Sequence, residues 1–281
     1  ISLSEILWKS GEKARSFIVE HKGIETLVQT MWSDISDAKV QAAALAFLFS
    51  LSASPDGRAA GDMLSNEESI CDTLLFSMQT HVSDPGIQLH GCAILACLAS
   101  ASSNNVKVSD GSLSGAVLMV VNAMSHHSRL RDIQKAGVQA LYYQCLLSTH
   151  AESNKRTLME SNLDNGGSGI DALISAMASL QDDLIAAEWA CRLCWSLTSS
   201  QDMVKSLAAT SVVGVIIELC QRYMPDQGAS GLMEAAFGAL ANLSFLENKR
   251  SELERQGVVP ILVDGLRYHA KDAGVNIEAC S

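Results

Sequence analysis

Three sets of residues carry types and spacings that could do chemistry. Cys191 and Cys194 form a Cys-x-x-Cys pair, the spacing of redox and zinc motifs. His126 and His127 are adjacent in "SHHSRLRD" and could ligate a metal. Asn242-Leu243-Ser244 matches the acceptor sequon for N-glycosylation. Each also has a plainer reading. "AEWACRLCWSL" has helical apolar spacing, and no second Cys-x-x-Cys or paired-histidine motif accompanies it, so both thiols read as buried small hydrophobes. The histidine pair stands in a polar linker and reads as solvated. The sequon falls within a helical pattern. The sequence also lacks a glycine-rich phosphate loop, a nucleophile elbow and a paired-carboxylate arrangement. We therefore expect no catalytic residue, no cofactor and no metal.

Composition narrows the classes further. Of the 281 residues 48% are hydrophobic and 18% charged, which is globular rather than disordered. A net charge of −11 argues against nucleic acid, whose phosphates need concentrated Lys and Arg, and favours basic partners. No apolar run reaches the roughly 18 residues that span a bilayer, so no membrane insertion is expected. Eight cysteines without a visible secretory signal read as reduced thiols, which implies a cytoplasmic or nuclear location. The chain does not begin with Met and stops inside a helical pattern, so we expect it to be an excerpt of a longer protein.

The elements that must position any site show a period. With Val40 as origin, apolar or small residues follow at plus four (Ala44), plus seven (Phe47), plus eight (Leu48) and plus eleven (Leu51), one face of an α-helix. The template recurs from Ile87, Ala186 and Leu232. It recurs from Ile133 until Gln144 breaks the last position, and a sixth copy starts at Val275. The plus-four residue is always small: Ala44, Gly91, Gly137, Ala190, Ala236 and Ala279, at spacings of 47, 46, 53, 46 and 43. A small residue at a fixed place lets a neighbouring helix cross closely. The longest interval contains "SNLDNGGSG", which reads as a loop insertion.

An apolar helix precedes each template helix, as in "GIETLVQTM", "GIDALISAM" and "GVVPILVDGL", with a polar turn between them such as "VSDPG" or "SLQDD". Pro260 falls in the first turn of its helix, where a missing N–H costs little. Two Asn-Lys-Arg triplets, at Asn154 and Asn248, stand 94 residues apart, two periods. We expect each Asn to cap a short first helix with its Lys and Arg exposed. The unit is thus short helix, helix, longer helix, with a period in the 40s, which implies a solenoid whose units bury their core by stacking.

In "NKRSELERQGVVPILVDGL" followed by "GLMEAAFGALANLS" the chain resembles the armadillo-repeat family. The resemblance extends over nearly the whole chain, strongest in the last two units and weakest around residues 55–70 and 101–115. HEAT repeats are the nearest structural rival; a tetratricopeptide period of about 34 does not fit. The resemblance implies an all-α, right-handed α-solenoid (superhelix) of about six three-helix repeats. As one array over 1–281, its units would be 13–54, 55–100, 101–148, 149–199, 200–244 and 245–281, with 1–12 the end of a preceding repeat.

The family's third helices line a concave groove that binds partner segments, often through a ladder of Asn residues. The ladder position is occupied here by Ser50, Cys97, Tyr143, Ser196 and Asn242, so only Asn242 keeps the family residue. Importin-α-like members add Trp four residues earlier, where this chain has Ala46, Ala93, Gln139, Arg192 and Gly238. Both nuclear-import signatures are missing, and a nuclear-import adaptor is the less favoured reading. On the same face stand Ala43, His90, Ala136, Trp189 and Ala235. The groove is expected to be shallow in the first and fifth units and furnished centrally by His90, Gln139, Tyr143, Trp189, Arg192 and Ser196, with Asn242 beyond. Trp, Tyr and Arg are frequent binding hot spots, and an Arg beside aromatics can grip a carboxylate. Packing of Trp189 and Tyr143 into the next repeat is the alternative placement.

The leading expectation is a non-catalytic scaffold that binds an extended or helical partner protein segment, with the acidic balance favouring a basic one. The alternative is a regulatory or targeting array within a larger multidomain protein, an enzyme or chaperone cofactor. The sequence leaves the oligomeric state open.

Overall fold

The computed structural model describes residues 22–52, 69–102, 115–163 and 166–281. The expected repeat end at 1–12 lies outside them, as does most of the weakly matching stretches 55–70 and 101–115. The chain divides into two compact units, Ile1–Asn154 and Lys155–Ser281. Among the described residues regular structure is helical, apart from one isolated bridge, Asn162 to Ser168, in the expected insertion.

The first unit contains α1 (Gly23–Ser33), α2 (Ala38–Ser52), α3 (Ile70–Thr80), α4 (Pro85–Ser102), α5 (Ala116–His126) and α6 (Arg131–Tyr142). Second helices pack in one row, α1 on α3 on α5, and third helices in another, α2 on α4 on α6. Each second helix ends in a buried Met (Met31, Met78 or Met124). Opposite them at plus four stand Ala44, Gly91 and Gly137, and a Cβ added to either glycine would run into Met78 or Met124. The small residues therefore let the helix layers close up, as their spacing predicted.

A polar device repeats beside this packing. Gln41, Gln88 and Gln134, one residue after each template origin, are almost wholly buried. Each Nε2 donates to two carbonyls where the second helix ends: Met31 and Asp34, Met78 and His81, Met124 and His127. These carbonyls are among those a helix leaves without internal partners. Histidines then tie neighbouring turns: His81 Nε2 bonds Ile35 O at 2.7 Å and His127 Nε2 bonds Val82 O at 2.9 Å. His127 is thus a strut between turns rather than a solvated linker residue; His126 is exposed.

At Gln144 the helix departs from α geometry. Residues Tyr143–Leu147 form a π-helical turn, with Ser148 N–H donating to Tyr143 O. The Gln144 side chain fills a core position with 0% exposure, and neither amide atom has a hydrogen-bond partner.

The second unit shows three-helix copies. A short first helix, α7 (Ala151–Glu160), precedes α8 (Gly169–Ser179) and α9 (Leu184–Thr198). The next two copies are α10 (Gln201–Ala208), α11 (Val212–Tyr223) and α12 (Ser230–Ser244), then α13 (Glu247–Arg255), α14 (Val258–Tyr268) and α15 (Ala273–Cys280). Rows form again, α8 on α11 on α14 and α9 on α12 on α15. Leu158, Leu207 and Leu253 are buried at matching places in the short helices. His269 Nε2 bonds Met224 O at 3.0 Å, the same strut as in the first unit.

The expected Asn caps are corrected. α7 and α13 start upstream of Asn154 and Asn248, so both lie inside their helices. Asn154 Nδ2 instead donates to Gln144 O at 2.8 Å, satisfying a carbonyl near the π turn. Lys155 is buried and Lys249 half-buried, while Arg156 and Arg250 are exposed. Pro260 sits in the first turn of α14 as expected. No single described helix is long and apolar enough to cross a membrane.

Candidate protein-interaction face

Third helices bury most of their template positions, with Val40 and Phe47 of α2 and Ala279 of α15 half-buried, and leave a strip of half-buried side chains beside them. In the first unit that strip holds His90 on α4 and Gln139 and Tyr143 at and beyond the end of α6. The His90 ring lies 5.5 Å from Phe49 of α2. Burial pushes its imidazole below the usual value, against an opposing contact with the Gly86 carbonyl. Tyr143 meets Tyr142 edge-on with centroids 5.3 Å apart. Ala43 is exposed, but Ala136 is only 8% exposed and adds little surface.

In the second unit, steps of three and four residues put Trp189, Arg192 and Ser196 on one face of α9, all half-buried. Arg192 does not await an outside carboxylate. Its Nε lies 2.9 Å from Glu188 Oε1 and its Nη2 3.8 Å from Glu234 Oε2 of α12. Asn242 Nδ2 donates to Thr198 Oγ1 at 3.2 Å, which holds the end of α12 to the end of α9. The fifth template copy offers less surface than its small residues implied. Ala235 has 0% exposure, and Gly238 is covered by the Trp195 ring so closely that a Cβ would collide with it.

Glu188, Glu234 and Trp195 were not singled out from sequence. The signal was present, since Glu188 and Glu234 both stand at plus two. Gly231 and Gly274, each just before a template origin, leave room for these carboxylates, which would lie 2.6 Å from an added Cβ. Glu278 of α15 extends the acidic row. Burial and then the Glu234 charge hold its carboxyl above the usual value.

The other chemical candidates resolve as packing. Cys191 and Cys194 have 0% exposure, and the Cys194 thiol donates to Met177 Sδ at 3.8 Å. Burial pushes Cys194 up to about 12 and Cys191 well above its usual value. Among the described residues no group of three or more His, Cys, Asp or Glu is arranged to hold a metal.

The family model described as LRRK2 ARM repeat matches residues 62–260. The chain belongs to that armadillo-repeat family. A solved structure from work on a conserved phosphorylation switch controlling the interaction between cadherin and β-catenin matches with a TM-score of 0.66 at 13% identity, covering 91% of this chain and 51% of that one. The armadillo chain therefore spans about half the length of the structure it matches, and the likeness establishes an all-α solenoid fold. Comparison with curated proteins gave no match.

Proposed function

We propose that this armadillo array is a non-catalytic interaction module, and that in Lys155–Ser281 its third helices hold a protein segment bearing Lys or Arg side chains. The carrying observation is the row of carboxylates on α9, α12 and α15. Glu188 and Glu234 already flank one guanidinium, that of Arg192, and Glu278 next to them is held above its usual value partly by Glu234. A cation from a partner relieves that like-charge repulsion, and half-exposed Trp189 supplies a face for its apolar stem or guanidinium. Ser196 and Asn242 continue the same face for polar backbone contacts. In Ile1–Asn154 the corresponding set is His90, Gln139 and Tyr143. In the matched structure the partnership is between cadherin and β-catenin; what transfers here is the use of an armadillo surface for a protein segment.

Selection of a random peptide library on the full chain tests this reading. Lys- and Arg-rich segments should be enriched, and a Glu234→Gln, Glu278→Gln double variant should lose them. Trp189→Ala should weaken binding by about 30-fold, the loss of a hot spot worth about 2 kcal/mol, with unchanged circular dichroism. Segments bound equally by wild type and both variants would remove this face from consideration.

A further inference from the structure

The spaces between successive third helices of the second unit repeat one geometry with one change of occupant. On α9, Arg192 stands one turn after Glu188, and its guanidinium lies 2.9 Å from Glu188 Oε1 and 3.8 Å from Glu234 Oε2 of α12. On α12 the residue one turn after Glu234 is Gly238, and the next helix brings Glu278. Glu188 and Glu234 are seated alike. The first lies over Gly231 at the start of α12 and the second over Gly274 at the start of α15, each 2.6 Å from an added Cβ.

Where the first space holds a guanidinium, the second does not. Among the described residues no cation pairs with Glu278, and Glu234 is reached by Arg192 alone, at the longer of its two contacts. Arg250 borders the same cleft as Glu278, but its Nε donates to Ser244 O at 2.8 Å. Glu234 and Glu278 are close enough that burial and then the Glu234 charge hold the Glu278 carboxyl above its usual value. At the place where α9 carries its arginine, the half-buried Trp195 ring lies over Gly238. An aromatic ring beside two carboxylates thus stands where the sister space has a bound guanidinium.

We propose that the space between α12 and α15 is an arginine subsite for the partner segment. The partner's guanidinium lies over the Trp195 ring and pairs with Glu234 and Glu278, as Arg192 pairs with Glu188 and Glu234. The inference rests on the third-helix reading above and names the residue which that face selects. Arginine suits this place better than lysine. Its planar, weakly hydrated fork reaches two carboxylates and stacks on an indole, whereas an ammonium is a compact, strongly hydrated point charge. Arg192 itself fills the first subsite and leaves the second to the partner. Third helices packed about 8–10 Å apart are spanned by about three residues of extended chain. Removal of Arg192 therefore opens a second arginine subsite three residues from the first.

The test uses the full chain and two variants on a random peptide library, with affinities then measured for the selected peptides. Wild type should enrich segments with one arginine at a common place, and exchanging that arginine for lysine should weaken binding about tenfold. Trp195→Leu should erase the preference for arginine while basic segments still bind. Arg192→Gln should enrich a new class, Arg-x-x-Arg, and a gain of this kind cannot come from loss of fold. Three results would each overturn the subsite and leave the third-helix reading standing: equal enrichment of lysine and arginine by wild type, an arginine preference unchanged by Trp195→Leu, or no second arginine with Arg192→Gln. Failure of wild type to enrich any basic segment overturns both.

Discussion

Gln88→Met preserves volume and removes the amide that ties α3 to α4. Gln88 Nε2 donates to Met78 O at 2.9 Å and to His81 O at 3.0 Å. The His81 carbonyl keeps a bond from Asp84 N–H at 3.0 Å, so its share of the loss is small, about 0.5 kcal/mol. Met78 O is buried against the amide, and stranding a buried acceptor costs about 1–3 kcal/mol. The expected destabilisation is about 2 kcal/mol. Gln41 makes the equivalent bonds to Met31 O and Asp34 O, but its own Oε1 is buried without a partner. Gln41→Met removes that penalty along with the bonds, which offsets roughly 1 kcal/mol. Its cost should therefore be about half that of Gln88→Met. Urea unfolding of the full chain and both variants, followed by circular dichroism at a common slope, measures the difference. Equal losses, or both below about 0.5 kcal/mol, would show that the glutamines are not what joins the helix layers here.

Two further outcomes follow from burial and charge. Cys92, Cys194 and Cys220 are pushed up to about 12 by burial, which leaves almost no thiolate at pH 8, whereas Cys280 is exposed. Maleimide at pH 8 should modify native chain first at Cys280 and reach the buried thiols only after urea is added; equal native rates at Cys194 and Cys280, read by mass spectrometry, would refute the packing. For Glu278 the folded state favours the protonated carboxyl. Its penalty is therefore absent below the unfolded value, appears as pH rises through the folded one and persists above it. Glu278→Gln should raise the melting temperature at pH 7 and change it little near pH 4, and a fall at pH 7 would contradict the assignment.

Much of the fold was legible because burial and period are the same signal. The template positions from Ile87, Ala186 and Leu232 are buried throughout, since each third helix must face its neighbour with a fixed stripe. The small plus-four residues marked a real crossing, seen where Gly91 and Gly137 face Met78 and Met124. What escaped were side chains whose partners lie one period away. Arg192 read as available because Glu234 is 42 residues distant in sequence, and His127 read as solvated because Val82 is 45 residues away. Asn154 was assigned to its own helix, yet its amide reaches back to Gln144 O. Cap residues are local and readable in principle, as the aspartates show; the Asn triplets misled because they mark the short helix without starting it.

The third copy departs from its sisters at both ends of one helix, and each departure draws in a different backbone partner. In the core, Gln144 replaces the leucine found at plus eleven elsewhere, and the helix responds with a π turn. Asn154 then bonds the Gln144 carbonyl, so some of that departure is compensated within the chain, although the buried side-chain amide stays without a partner. A buried unsatisfied amide lowers local stability, which places the end of this helix among the segments most ready to open. At the other end of the same helix, Leu130 stands where sister turns carry aspartate, and the Ile133 N–H donates to the Leu130 carbonyl at 3.0 Å in place of a side-chain cap. A repeat array supplies its own control, because five sister turns show what the fold alone requires at that place. Repacking accounts for a core substitution that draws in new intrachain partners. At Leu130 the compensation is local, since the backbone carbonyl of the same residue takes the N–H that an aspartate side chain accepts in the sister turns.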